Sequence, residues 1–161
     1  MSADDSPGLY VESTIIMTTV RVVAPFVLTF ALFVSFHGAD SPGGGFQGGV
    51  IAGSVIMMLA FAFGTDATRE WIDTRAIAVL GAAGVLLFAA IGLGGIALGG
   101  TFLEYQLYAN QFLKPVKASK YGMELVELGI GGIVASIAVG LFFLLSAGFG
   151  HAIDGDGGDE A

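Results

Sequence analysis

The sequence predicts an all-α integral membrane protein of four transmembrane helices, with a long interfacial connection between the third helix and the fourth. Composition is the first reason. Of the 161 residues, 55% are hydrophobic and 12% are charged, whereas an ordinary soluble domain has roughly 25% charged residues. The mean hydropathy is +0.82. The apolar residues also fall into four long runs, and a helix of about 20 apolar residues crosses a bilayer.

The four runs have clear boundaries in the sequence. The first extends from Ile15 to Phe36 and contains one charge, Arg21, close enough to the helix start for its side chain to reach the headgroups. The other three runs are residues 46–64, 76–98 and 123–149. A polar loop at 65–75 separates the second run from the third, and its Trp71 is typical of an anchor at the membrane interface.

The connection between the third and fourth runs, residues 99–122, mixes aromatic and charged residues and contains Pro115. It is too polar to span a membrane. The pattern predicts a partly helical segment that lies along the membrane surface or against a partner.

The net charge of −8 is concentrated at the ends of the chain. Residues 1–14 and 150–161 are predicted to be acidic, disordered tails around a transmembrane domain at 15–149. The body between them is nearly neutral and contains no basic patch, so nucleic acid is not an expected partner. The chain has no cysteine, which excludes disulfides, thiolate metal sites and a cysteine nucleophile.

Glycine is the second informative feature, with 26 residues. Many of these glycines form pairs of small residues four apart, a spacing that lets another backbone approach one helix face closely. The pairs are Gly44–Gly48, Gly45–Gly49, Gly49–Gly53, Gly95–Gly99, Gly131–Ala135, Gly132–Ser136 and Ser136–Gly140. Because four helices bury little among themselves, we expect some of these faces to meet other subunits.

Three ionisable residues are candidates for an ion pathway. Glu124 and Glu127 share a face of the fourth helix, and Glu127 lies at or just below the membrane boundary, where a carboxylate usually faces a bundle interior or a water path. The alternative is that both remain hydrated near the helix N-terminus. His37 ends the first span and is either a helix-end polar contact or a proton relay. We expect no catalytic residue, no cofactor and no metal site.

Two segments together resemble a known family. Residues 37–49 read His-Gly-Ala-Asp-Ser-Pro-Gly-Gly-Gly-Phe-Gln-Gly-Gly, which is similar to the signature of the MnhB/MrpB family, the B-type subunits of multisubunit cation/proton antiporters. The residues of its turn and helix-packing motif are Pro42, Gly43, Gly44, Gly45, Phe46, Gly48 and Gly49. Residues 126–130 resemble the family's apolar-Asp-apolar-Gly-Val motif in the last helix, with Glu127 where the family most often has Asp. Glu124 is not a recognised family feature.

The resemblance implies a subunit without enzymatic activity of its own, in the cell membrane. Its expected partners are the lipid bilayer and the other subunits of a complex that exchanges Na+ for H+. Similar subunits also occur in membrane-bound hydrogenases and related respiratory complexes. Three hypotheses remain open. In the first, the chain is a transport-complex subunit in which Glu127 contributes to the ion pathway; in the second, it is a purely structural assembly subunit. The third is a free-standing small transporter. We expect both termini to be cytoplasmic.

Overall fold

The computed structural model describes residues 13–40, 42–110 and 115–155. Residues 1–12 and 156–161 of the two predicted tails therefore lie outside the described residues, whereas residues 150–155 belong to the last helix. The elements in the described part are α1 (Thr14–Ser35), α2 (Gly45–Phe63), α3 (Thr65–Trp71), α4 (Thr74–Ala97), a 3-10 helix (Tyr105–Asn110) and α5 (Pro115–Gly155).

Four of these helices are long and apolar enough to cross a membrane, which confirms the predicted fold class. They are α1, α2, α4 and the segment Lys117–Gly148 of α5, with 22, 19, 24 and 32 residues. The apolar boundaries read from the sequence agree with the first three helices to within two residues. This agreement follows from the bilayer, which requires every backbone polar group in its core to be paired within the helix.

Two elements differ from the sequence prediction. The segment 65–75, predicted as a loop, contains the short helix α3, whose first turn is reinforced by the Thr68 hydroxyl donating to the Gly64 carbonyl at 2.9 Å. The last helix begins at Pro115, eight residues before the predicted start at Met123, and continues to Gly155. The sequence identified the edge of its apolar part, but polar turns extend the helix beyond that edge.

The last helix, α5, lies between α2 and α4, and α1 packs mainly on α2. Three glycines one turn apart line the α2 side of the contact with α5: Gly45, Gly49 and Gly53. Their partners on α5 follow in the same order: Glu127, Gly131 and Ala135. The two helices are therefore parallel, and small residues let their backbones approach closely.

The contact between α4 and α5 is antiparallel. A Cβ atom added to Gly84 would lie 2.5 Å from the Gly129 carbonyl oxygen, and one added to Gly81 would overlap the Ser136 hydroxyl. The predicted pair Gly95–Gly99 does not form a helix face, because Gly99 has a φ of 90° in the turn after α4. Gly140 has no described atom within 4 Å of its added Cβ.

The connection after α4 folds back onto the end of that helix. The Phe102 ring fills the space beside Gly92 and meets the Phe88 ring edge to face at 6.0 Å. The Tyr108 hydroxyl donates to the Ile91 carbonyl at 2.6 Å. The described part of the connection is therefore held against α4 by both apolar packing and a hydrogen bond.

At the opposite end of the bundle, basic and aromatic side chains meet. The Arg21 guanidinium lies 5.0 Å from the centre of the Phe63 ring, which also packs on the exposed Trp71 at 5.5 Å. This combination is typical of a membrane interface, where aromatic rings and snorkelling basic residues anchor helix ends.

Candidate functional site

The carboxylate of Glu127 is enclosed by the turn that joins α1 to α2. A Cβ atom added to Gly44 would lie 2.8 Å from both Cδ and Oε1 of Glu127, and one added to Gly38 would overlap Oε2. A Cβ atom on Gly45 would overlap the Glu127 backbone carbonyl. The glycines of the turn are thus the residues that leave room for this side chain.

The N-terminus of α2 favours a carboxylate next to it. Gly44 precedes the helix in an extended conformation, with φ −146° and ψ −152°, and its N–H donates to the Gln47 side-chain oxygen at 3.1 Å. Gly45 is the first helical residue, so the partial positive charge of the α2 N-terminus lies next to the Glu127 side chain. This charge favours an anion nearby.

A cavity of about 420 Å³ adjoins the Glu127 carboxylate. Its lining residues are Gly38, Pro42, Gly43, Gly44, Gly45, Phe46, Gln47, Glu127 and Ile130. Oε2 of Glu127 is buried and has no hydrogen-bond partner among the described residues. Because a buried polar atom without a partner is costly, Oε2 suits a bound proton, and the adjoining cavity is large enough to hold water.

Three further charged groups lie beside this site. Lys120 of α5 forms an ion pair with Asp40 in the α1–α2 turn, and its Nζ atom lies 4.0 Å from Oε1 of Glu124. Lys120, Glu124 and Glu127 occupy one face of α5 because they are spaced by four and three residues. The ion pair thereby joins the turn around Glu127 to the helix that carries it.

Of the three predicted ionisable residues, Glu127 contacts the glycine turn, and Glu124 is connected to the turn through Lys120 and Asp40. His37 is exposed and is not among the residues that line the cavity beside Glu127. Its Nδ1–H donates to the Phe33 carbonyl at 2.9 Å, and its ring stacks on the Phe33 ring at 4.1 Å. This geometry matches the helix-end polar contact, which was one of the two alternatives for His37. Ser41 of the motif lies outside the described residues.

Sequence reasoning missed two residues of the site, Asp40 as the partner of Lys120 and Tyr105 of the 3-10 helix. Tyr105 is half-buried with its ring against Gly122, and burial together with the nearby Glu127 carboxylate raises the pKa of its hydroxyl. The pattern of aromatic residues between 99 and 122 indicated an interfacial segment but not which ring would turn toward Glu127. Within residues 13–40, 42–110 and 115–155, no three His, Cys, Asp or Glu side chains are grouped closely enough to hold a metal ion.

Comparison with known proteins identifies the family of this fold and turn. Residues 15–140 match the family described as "Domain related to MnhB subunit of Na+/H+ antiporter". The chain belongs to the MnhB family. Among its relatives, the B-type subunit of the Na(+)/H(+) antiporter of Bacillus subtilis (strain 168) is 30% identical over 127 residues, which cover 78% of this chain and 87% of the relative.

A second relative in the MnhB family is the antiporter protein named mnhB2 of Staphylococcus aureus (strain Newman), 31% identical over 142 residues, or 85% of this chain and 97% of the relative. A chain in the solved structure of the membrane-bound sulfane sulfur reductase, an archaeal respiratory membrane complex, is similar with a TM-score of 0.51 and 24% identity. The match covers 85% of this chain and 60% of that chain, and it supports the fold alone.

These similarities confirm the resemblance predicted from residues 37–49 and 126–130. They also confirm the prediction of a multi-pass membrane subunit of a Na+/H+ antiporter complex.

Proposed function

We propose that Glu127 is a protonatable group on the ion pathway of a multisubunit Na+/H+ antiporter complex, in which this chain is the B-type membrane subunit. The observation that supports this most directly is the buried Oε2 atom, which has no hydrogen-bond partner among the described residues, on a side chain that helps to line a cavity of about 420 Å³. An ionisable residue at membrane depth has an unfavourable solvation free energy, and such residues usually mark ion or proton pathways. In this proposal the chain acts through the complex and carries out no reaction of its own.

The position of Glu127 fits an exchange role better than a fixed structural contact. A structural carboxylate would be expected to satisfy its buried oxygen with a protein donor, whereas Oε2 has none in the part of the chain that the structure describes. The partial positive charge at the start of α2 offsets part of the cost of the ionised form. In this proposal the carboxylate lies beside stabilising backbone at the start of α2, and the adjoining cavity is the route by which a proton reaches and leaves it.

A second candidate function, structural assembly, rests on a different observation. Helices α1 and α4 keep many large apolar side chains exposed, including Phe26, Phe30, Phe33, Val79, Leu86 and Leu93. Lipid or other subunits would cover these faces in a complex. In that case the glycines serve only to pack α2 against α5, and the charge of Glu127 has no part in transport.

Replacement of Glu127 in the intact antiporter complex distinguishes the two functions. We expect Glu127→Gln to assemble normally and to lose Na+/H+ exchange, measured in everted membrane vesicles with a ΔpH-sensitive dye. Glu127→Asp, which keeps a carboxylate on a shorter arm, should retain part of the exchange. The matched control is Glu70→Gln, which removes an exposed carboxylate on α3 at the opposite end of the bundle. Full exchange by Glu127→Gln at normal subunit levels would leave only the structural function.

We place both termini in the cytoplasm as part of this proposal. The chain has no native cysteine, so a single introduced cysteine reports its own side of the membrane. Asp66 is exposed in α3, at the end of the bundle where α1 begins, and Gln106 is exposed at the opposite end. In intact cells, an impermeant maleimide should label this subunit in Gln106→Cys and not in Asp66→Cys. The reverse pattern would invert the orientation.

A further inference from the structure

The charges above the Glu127 cavity form a connected group. Asp40 lies in the α1–α2 turn, two residues after Gly38, whose added Cβ atom would overlap the Glu127 carboxylate. Lys120 binds Asp40 and lies 4.0 Å from Glu124. Glu124 and Glu127 are one turn apart on the same face of α5. Asp40 and Lys120 are therefore connected to Glu127 through Glu124, the charged neighbour of Glu127 on α5.

The distances are short enough to matter electrostatically. Lys120 precedes Glu127 by seven residues, which corresponds to an axial rise of about 10 Å at 1.5 Å per residue. Near a protein surface, two unit charges at this separation interact by about 1–2 kcal/mol before screening. The Debye length is roughly 8 Å at physiological ionic strength, so screening by salt reduces this value without abolishing it.

We propose that Lys120, paired with Asp40, is a positioning residue for the Glu127 site, and that its positive charge sets the pH range in which the antiporter complex exchanges cations. This inference rests on the proposed role of Glu127. The ammonium group favours the ionised form of Glu127, whereas the carboxylates of Asp40 and Glu124 favour the protonated form. The balance of these three charges determines how alkaline the medium must be before Glu127 releases its proton.

The other groups packed around Glu127 add little to this balance in the neutral pH range. Tyr105, from the 3-10 helix, has a pKa raised above its ordinary value of 10.0 by burial and by the Glu127 carboxylate, so its hydroxyl remains neutral there. Helix α2 contributes the uncharged Gln47, and His37 of the turn is stacked on Phe33, away from the cavity. In the described part of the chain, Glu124 is thus the charged side chain next to Glu127, and Lys120 and Asp40 are connected to it through the ion pairs that Lys120 forms with Glu124 and Asp40.

The experiment measures the pH dependence of Na+/H+ exchange by the intact complex in everted vesicles. Lys120→Gln should move the pH of half-maximal exchange upward, and Asp40→Asn should move it downward, each by on the order of 0.5 pH unit. Lys120→Arg, which keeps the charge, should leave the profile in place. These opposite shifts distinguish an electrostatic role from a mechanical one.

If the ion pair served only to hold the turn against α5, Lys120→Gln and Asp40→Asn would break the same contact and act alike. A loss of exchange in both variants without a shift, or shifts in the same direction, would overturn the inference. If Lys120→Gln fails to assemble, Glu124→Gln serves as a second test, because removal of this negative charge should also move the pH profile of exchange downward. An unmoved profile in Glu124→Gln would likewise count against it.

Glu127→Gln is measured in parallel so that failure of the proposed function is recognised separately. Lost exchange in Glu127→Gln, together with an unmoved profile in Lys120→Gln, would overturn the role of Lys120 alone. Full exchange in Glu127→Gln would overturn the role of Glu127 and, with it, this inference.

Discussion

The first helical residue of α2, Gly45, packs directly on the backbone of Glu127 in α5. A Cβ atom at Gly45 would overlap the Glu127 carbonyl oxygen and lie 2.8 Å from its Cα atom. One contact thus joins the helix-packing motif of the sequence to its candidate ionisable residue. The glycine fixes how closely the two helices approach, and this distance determines the position of the carboxylate beside the start of α2.

Substitution of Gly45 should therefore disturb assembly of the subunit. In Gly45→Ala the new methyl group meets backbone atoms, which have no rotamer available to move aside, and overpacking of this kind costs about 1–3 kcal/mol. We expect a lower melting temperature of the purified complex and less of this subunit in the membrane. The measurement is a thermal unfolding curve combined with quantitative immunoblotting.

Gly140→Ala is the matched control for Gly45→Ala. Gly140 lies in α5 with no described atom within 4 Å of an added Cβ, and alanine is favoured over glycine in a helix interior by about 1 kcal/mol. This variant should be at least as stable as the original. Equal stability of Gly45→Ala and Gly140→Ala would contradict the close contact between α2 and α5.

Gly38 offers a way to disturb the Glu127 side chain while leaving helix packing unchanged. A Cβ atom at Gly38 would overlap the carboxylate, not the backbone. Because a flexible side chain is able to move, we expect Gly38→Ala to assemble well but to lose a large part of Na+/H+ exchange, as measured in vesicles. In Gly132→Ala, the control, the nearest contact is an ordinary 3.4 Å. Full exchange in Gly38→Ala would count against the proposed position of the carboxylate.

The transmembrane plan could be predicted from the sequence because an apolar run of about 20 residues is a signal carried by consecutive residues. The start of α5 at Pro115 could not be predicted in the same way. Lys117 and Lys120 make this first part of the helix polar, so its periodicity does not stand out from a surface loop. Helix α3 was missed for a similar reason, since a mostly polar helix of seven residues gives too short a pattern.

The site was only partly predictable. The glycine turn and Glu127 were both identified, but their meeting depends on α2 and α5 being neighbours and parallel, which no local pattern encodes. The same limitation applies to the ion pair between Asp40 and Lys120. The position of Tyr105 depends on how the connection between α4 and α5 folds back. Contacts such as that of Phe102 with Gly92 determine this fold.

The hydroxyl of Tyr105 makes the stability of the complex depend on pH in alkaline solution. Burial and the Glu127 carboxylate raise its pKa above the ordinary value of 10.0, so the folded state holds this proton more tightly than the unfolded state. The resulting stability is fully present below about pH 10 and is lost as the pH rises through the higher folded-state pKa. Tyr105→Phe should therefore lose less stability than the original between about pH 9 and pH 11, measured by melting temperature. Tyr121→Phe, which removes an exposed hydroxyl from α5, is measured beside it as the control for the loss of a tyrosine hydroxyl.

The folded-back connection is testable through Tyr108, whose hydroxyl donates to the Ile91 carbonyl at 2.6 Å. Removal of this hydrogen bond in Tyr108→Phe leaves the ring in place and should reduce stability by about 1 kcal/mol. Because this hydrogen bond holds the connection against α4, its loss should loosen the connection more than it lowers the stability of the whole subunit. We expect faster hydrogen exchange in residues 101–110 of the complex, with exchange in α1 unchanged. Equal exchange in Tyr108→Phe and the original chain would show that apolar packing, led by Phe102, is sufficient to hold the connection.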